Sequence, residues 1–307
     1  MQISASPINN SSMHGKTCLI TGATSGVGLE TARGLAAMGA RLFIHGRDPQ
    51  KVDATLEDIH SSTGNDALIP LIADLSSQAN IHQMSKIVCQ ETDNLDVLIN
   101  NAGAVNMTRQ LSPDGIEMTF AVNYLAYYLL TFCLADLLLA SKPSRIINVS
   151  SSAHGYTGLE VLDDPMFEND YEGWQAYSRS KLCELLFTYE LASRLDGSGV
   201  TVNALHPGFV NSNIGKNNTP EQLATTPLRV SGTLTNQEGA QTSIYLASSS
   251  EVEGVSGKYF VNCKPIASSE VSYNKTASLH LWEISAQLTG QDPDRFGKSR
   301  RTECKNL

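Results

Sequence analysis

Short apolar runs rich in β-branched residues punctuate this chain: Thr17 to Thr21, Arg41 to His45, Ala67 to Ala73, Val97 to Asn100, Arg145 to Ser150, Val200 to Leu205 and Lys258 to Val261. Such runs suit strands buried on both faces, and the helix-forming segments between most of them supply the crossovers that parallel strands require. The pattern predicts an α/β fold with a single Rossmann-type doubly wound domain, whose mostly parallel seven-stranded sheet carries helices on both faces. That domain is expected over residues 16–290. Residues 1–15 read as a disordered arm and 291–307 as a C-terminal tail.

Two stretches break the rhythm. Residues 153–173, rich in Gly, Asp and Tyr, and 211–236, rich in Asn, Thr and Pro, are too long for ordinary connections, so they read either as substrate-covering loops or as surface insertions. The segment Phe120 to Ala140 approaches the length of a membrane span, but Asn123, Thr131 and Asp136 interrupt it; a helix buried between the sheet and a neighbour is expected instead. The N-terminus lacks the apolar region of a signal peptide.

A formal net charge of −9 argues against a nucleic-acid partner, and no run of Lys or Arg offsets it. The six cysteines are scattered, without the close pairs of a zinc or redox motif, which fits a reduced cytoplasmic protein. At 307 residues and 41% hydrophobic content the chain can bury one large core.

The first strand runs into TGATSGVG, so Gly22, Gly26 and Gly28 stand where a strand turns into a helix. Glycines there allow a tight turn and close backbone approach, and the helix N-terminus attracts a pyrophosphate. The second strand ends LFIHGRD, with Gly46 where an acid would select an unphosphorylated ribose. Arg47 beside it can pair with a 2′-phosphate, which makes NADP(H) the preferred cofactor without excluding NAD(H); a solvated Arg47, or Asp48 turned back to the ribose, are the alternatives. In AYSRSK, Tyr177 and Lys181 lie one helical turn apart on one face. A phenol beside an ammonium can donate a proton, the cation drawing its pKa down from about 10.

The order TGATSGVG, NNAG at Asn100 to Gly103, NVSSS at Asn148 to Ser152, AYSRSK and HPG at His206 to Gly208 resembles the short-chain dehydrogenase/reductase family over about Lys16 to Asn262. DGIEMTFAVNYLAYYLLT, KLCELLFTYELASRLDGSGVTVNALHPGFV and SLHLWEISAQLTG resemble its retinol-dehydrogenase-like branch. The resemblance implies a catalytic set of Asn123, Ser151, Tyr177 and Lys181. Ser150 and Ser152 adjoin Ser151, so the serine is assigned by the motif. Implied cofactor contacts are Ser25 and Val27 in the loop, Asp74 and Leu75 after the third strand, Asn101 and Gly103 at the ribose, and Pro207, Gly208 and Val210 near the nicotinamide. Ser212 stands in for the family's threonine. For Asp74 a helix N-cap before SSQAN explains the residue equally well, and His206 reads as a packed strand-end residue.

Together these readings give an oxidoreductase that interconverts a carbonyl and an alcohol on an apolar small molecule, with Ser151 holding the oxygen and Tyr177 moving the proton. The apolar character rests on the branch resemblance and on Tyr156, Leu159, Val161, Leu162, Met166, Phe167, Trp174 and Phe209, which suit a substrate wall or a packed lid. The alternatives are a non-catalytic nucleotide-binding regulator of the same fold and, further off, a light-dependent pigment reductase. The apolar faces carrying Tyr127, Leu130, Leu134, Leu138, Leu182, Leu186 and Tyr189 suggest a homodimer, unless a C-terminal helix around Leu279 to Leu288 covers them in a monomer.

Overall fold

The computed structural model describes residues 12–211, 213–224, 226 and 233–297. Strands and helices alternate as β1 (Thr17–Ile20), α1 (Gly26–Ala37), β2 (Arg41–Gly46), α2 (Pro49–Thr63), β3 (Leu68–Ile72), α3 (Gln78–Glu91) and β4 (Val97–Asn100). A broken helical stretch follows: α4 (Met118–Phe120), a π turn (Ala121–Leu125), α5 (Ala126–Cys133) and α6 (Ala135–Ala140). Then come β5 (Ser144–Val149), α7 (Gly173–Arg194), β6 (Val200–His206), α8 (Pro220–Leu223), α9 (Asn236–Ser248), β7 (Tyr259–Val261), β8 (Lys264–Ile266) and α10 (Lys275–Thr289).

The sheet order is β3-β2-β1-β4-β5-β6-β7-β8. All pairs are parallel except β7 with β8. Because side chains alternate across a strand, each central strand feeds two cores. Leu19, Leu98, Ile146 and Val202 face a core built with α3, α5, α7 and α10, while Ile20, Ile99, Ile147 and Leu205 face another built with α1 and α9. The order in which strands are added reverses between β1 and β4, and the carboxyl ends on either side of that switch point open a crevice.

The sheet has eight strands rather than the seven expected. The extra one, β8, returns from β7 through Asn262 and Cys263, both left-handed at φ 50° and 60°, as a tight hairpin requires. Its Pro265 and full exposure suit an edge, and mask it as a strand in the sequence. The 120–140 segment is a buried helical stretch, as expected, but not continuous: the π turn holds Asn123, and Leu134 breaks the run before α6.

The chain covers its own apolar faces. Tyr127, Leu130, Leu134, Leu138, Leu182 and Leu186 are all buried. Much of the cover comes from α10, whose Trp282 stacks on Phe187 and meets Tyr128 and Phe132, with Phe296 closing against Phe132. Of the residues that suggested a dimer, Tyr189 stays half-buried, stacked on Tyr273. Met13, in the expected arm, is buried and bonded to the Met38 carbonyl, and Phe296, in the expected tail, belongs to the core; residues 1–11 and 298–307 lie outside the described residues. Among the described residues no helix is long and apolar enough to cross a membrane.

Candidate active site

A cleft of about 1210 Å³ lies over the carboxyl ends of the strands, lined from Gly22 through Gly46, Asp74, Asn101 and Ser151 to Pro207. Its size exceeds the usual range for one small ligand, roughly 300–1,000 Å³, leaving room for a dinucleotide and a second molecule.

One end is a phosphate cradle. Gly22 turns at φ 66°, open to glycine. Ser25 is the N-cap of α1, its side chain makes no capping bond, and Ser25, Gly26, Val27 and Gly28 line the cleft at the positive end of the helix. A Cβ at Gly28 would collide with the Gly22 carbonyl and with Asn101 Nδ2. Asn101 holds the turn from the other side: its backbone N–H donates to Thr21 Oγ1 at 2.8 Å and its Nδ2 to the Thr21 carbonyl at 2.7 Å. His45 adds a bond that the sequence did not suggest. Its Nδ1 accepts from the Gly22 N–H at 3.0 Å and its Nε2 faces the Ala73 carbonyl at 3.1 Å. Burial pushes this imidazole down to about 4, so it stays neutral and keeps the accepting nitrogen the turn needs.

At the adenosine end, a Cβ at Gly46 would meet Thr24 Cγ2 at 2.5 Å and Val52 Cγ2 at 2.8 Å, so no acid fits there. Arg47 is exposed at the cleft rim. Lys216, from the 211–224 segment, reaches the same rim; partial burial and the charges of Arg47 and Lys51 lower its pKa. Crowded cations are a site in want of an anion. The sequence hid Lys216, because nothing in a loop's composition shows which end of a cleft it will meet. Asp74 lines the cleft and accepts from the Ser76 N–H at 2.9 Å, while Ser77 is the cap of α3, so the N-cap explanation for Asp74 does not hold. Leu75 is buried beside it.

The other end gathers the predicted catalytic set. Asn123, in the π turn, grips Ala104: its Oδ1 accepts from that N–H at 2.8 Å and its Nδ2 donates to that carbonyl at 3.0 Å. Gly103 lies alongside, where a Cβ would be 3.5 Å from Asn123 Oδ1 and 3.8 Å from Lys181 Nζ. Tyr177 and Lys181 are both buried on α7, with Nζ 5.5 Å from the phenol ring centre. Ser150 donates to the Lys181 carbonyl at 3.0 Å, whereas Ser151 accepts from the Ala153 N–H at 3.1 Å and lies near enough to the Tyr177 phenol to lower its pKa. Ser152 also lines the cleft.

Burial raises the Tyr177 phenol above its ordinary value, more than Lys181 and Ser151 lower it, which reverses the direction expected from the cation alone. Burial is the main cause, and a smaller one lies one turn on. Lys181 Nζ donates to Glu184 Oε1 at 2.7 Å and to the Val149 carbonyl at 3.1 Å, so a buried carboxylate shares the ammonium's charge. Sequence reasoning passed over Glu184 because a Glu three residues after a Lys reads as a solvated helix pair.

Pro207, Gly208, Phe209 and Val210 close the cleft after β6, and Ser212 lies outside the described residues. His206 packs edge-on to Phe209, and burial lowers it to about 4. Of the loop residues expected to form a substrate wall or a packed lid, Tyr156, Trp174 and Phe209 line the cleft, joined by Met118, Val122, Ile214 and Leu223. Leu159, Leu162 and Met166 turn to the core, and Phe167 is buried under the Arg179 guanidinium.

The family profile for short chain dehydrogenases matches residues 16–223. The chain belongs to the short-chain dehydrogenase family. As a short-chain dehydrogenase it is an oxidoreductase of CH–OH and C=O groups. It is 43% identical over 296 residues to human retinol dehydrogenase 14, covering 91% of this chain and 87% of that one. It is 40% identical over 283 residues to mouse retinol dehydrogenase 13, covering 90% and 84%. Among solved structures, an uncharacterised protein of Mycobacterium paratuberculosis matches with a TM-score of 0.74 at 29% identity, over 92% of this chain and 96% of that one. Pseudomonas aeruginosa RhlG, in an active-site complex with NADP, matches with a TM-score of 0.63 at 26% identity, over 81% and 95%.

Proposed function

We propose that this short-chain dehydrogenase interconverts a carbonyl and an alcohol on an apolar small molecule, using NADP(H) in preference to NAD(H). The observation that carries the reading is Tyr177, buried at the cleft that Ser151 also lines, with Lys181 on its own helix face. The residues of the cradle fit a dinucleotide: Gly28 lets the start of α1 close tightly on Gly22 and Asn101, and the uncapped start of α1 presents N–H groups to a pyrophosphate. The bound nicotinamide supplies or accepts the hydride. Ser151 holds the reacting oxygen by hydrogen bonding, Tyr177 gives or takes its proton, Lys181 holds the nicotinamide ribose and the Asn123 region passes protons to Lys181.

Preference for NADP(H) is supported by Arg47 and Lys216 at the adenosine rim, by Gly46 in the place of an acid, and by the NADP held by the related RhlG. An apolar substrate is supported by Met118, Val122, Tyr156, Trp174 and Phe209 around the cleft and by the retinol dehydrogenases among the relatives. Retinoids and lipid aldehydes or alcohols are the class to try. Five unpaired cysteines among the described residues support a reducing, cytoplasmic setting. The cover that α10 gives α7 supports the monomer of the two assemblies the sequence left open, which light scattering would read as a mass near 33.1 kDa.

The experiment is a panel of retinoid, lipid and short-chain aldehydes and ketones, each followed by NADPH and by NADH consumption. Turnover of an apolar carbonyl with NADPH well ahead of NADH is expected. Binding of NADPH without turnover of any carbonyl or alcohol would favour a regulator.

A further inference from the structure

The pair that α7 buries one turn beyond the phenol has no counterpart in the motifs read from the sequence. Glu184 is fully buried, takes Lys181 Nζ at 2.7 Å through Oε1, and leaves Oε2 without a hydrogen-bond partner. Taking a carboxylate out of water is costly, and a chain that keeps one against a functional lysine gains little stability from it. Its position points to a role exerted through that lysine.

We propose that Glu184 is a positioning residue that fixes Lys181 Nζ and offsets its charge, so that Tyr177 remains a phenol into the alkaline range and the site is poised to reduce carbonyls. The inference rests on Tyr177 as the proton donor. An unopposed ammonium beside the ring would favour phenolate; a carboxylate on its far side turns a point charge into a short dipole, whose field falls off faster. The groups facing the pair agree. On α7 these are Tyr177 and Cys183; α5 contributes Tyr127, β7 contributes Tyr259, and β6 contributes His206, which faces Lys181. Glu184's charge pushes Tyr127, Tyr177 and Tyr259 upward, behind burial in each case and, for Tyr177, behind the lowering by Lys181 and Ser151 as well. Burial raises Glu184 itself, against Lys181, to about 7, so it is ionised throughout the range in which a tyrosine titrates.

The test is the titration midpoint of Tyr177, read by NMR of isotope-labelled tyrosine and assigned by its absence in Tyr177→Phe. In Glu184→Gln the midpoint should fall by about one pH unit or more, and the pH profile of alcohol oxidation should move down with it. Glu184→Asp, which keeps the charge, should recover part of the shift. An unchanged midpoint in folded Glu184→Gln overturns the proposal. Should that variant not fold, the unaltered protein still decides: the Tyr177 signal should show a step at the midpoint of the Glu184 carboxyl, and no such step means no coupling. The proton-donor reading fails separately, if Tyr177→Phe keeps its turnover, while the titration still reports the Glu184 coupling.

Discussion

Gly28 and Asn101 leave no room between them: a Cβ on the first would strike the amide nitrogen of the second, and the same Cβ would strike the Gly22 carbonyl. The second motif of the chain therefore clamps the first. Gly28→Ala has to move either the start of α1 or the Asn101 side chain, at a cost of about 1–3 kcal/mol for such overpacking. Calorimetric titration should show both dinucleotides weakened, by about tenfold or more. Unchanged affinity would place the pyrophosphate elsewhere.

The adenosine rim makes a separate prediction. Arg47→Ala and Lys216→Ala should each weaken NADPH by roughly ten- to a hundredfold, the loss of a charge-assisted bond being worth ~1.5–3 kcal/mol, and should barely affect NADH. The measurement is dissociation constants for both cofactors at two salt concentrations, since exposed cations are screened. Equal weakening of both cofactors would make these residues structural.

How much of this was visible beforehand depended on whether chemistry or packing placed the residue. The seven parallel strands announce themselves as apolar runs, whereas β8 is antiparallel, exposed and contains Pro265. Tyr177, Lys181 and the glycines sit at spacings that the chemistry dictates. Lys216 and Glu184 do not: one depends on where a loop lands and the other on whether a helix face meets water or protein, and both are tertiary facts. The same blindness left Leu162 and Met166 between a substrate wall and a packed lid in the sequence, and they pack against the core.

His45 ties cofactor binding to acid stability. Its folded value, about 4, lies below the ordinary 6.5, so the unfolded chain holds the extra proton between those limits. The stability it contributes is complete above about pH 6.5 and is lost as pH falls towards 4, by on the order of 3 kcal/mol. Glu184, raised by burial, works in the opposite sense over an overlapping range, so the comparison must be between variants. Thermal unfolding of His45→Gln should lose less stability between pH 6.5 and 4 than the unaltered chain. Parallel curves would show that His45 does not stay neutral in the fold.

The central claim is that Tyr177 moves the proton in a carbonyl–alcohol interconversion, and one variant tests it most directly. Tyr177→Phe keeps the ring that packs with Val105 and Ala153 and removes only the hydroxyl. With a substrate found from the panel, kcat should fall by at least ~10²–10⁴-fold, the usual contribution of a general acid, while NADPH affinity and thermal stability stay close to those of the unaltered protein. A Tyr177→Phe protein that binds NADPH normally and retains a third of its turnover would contradict the account.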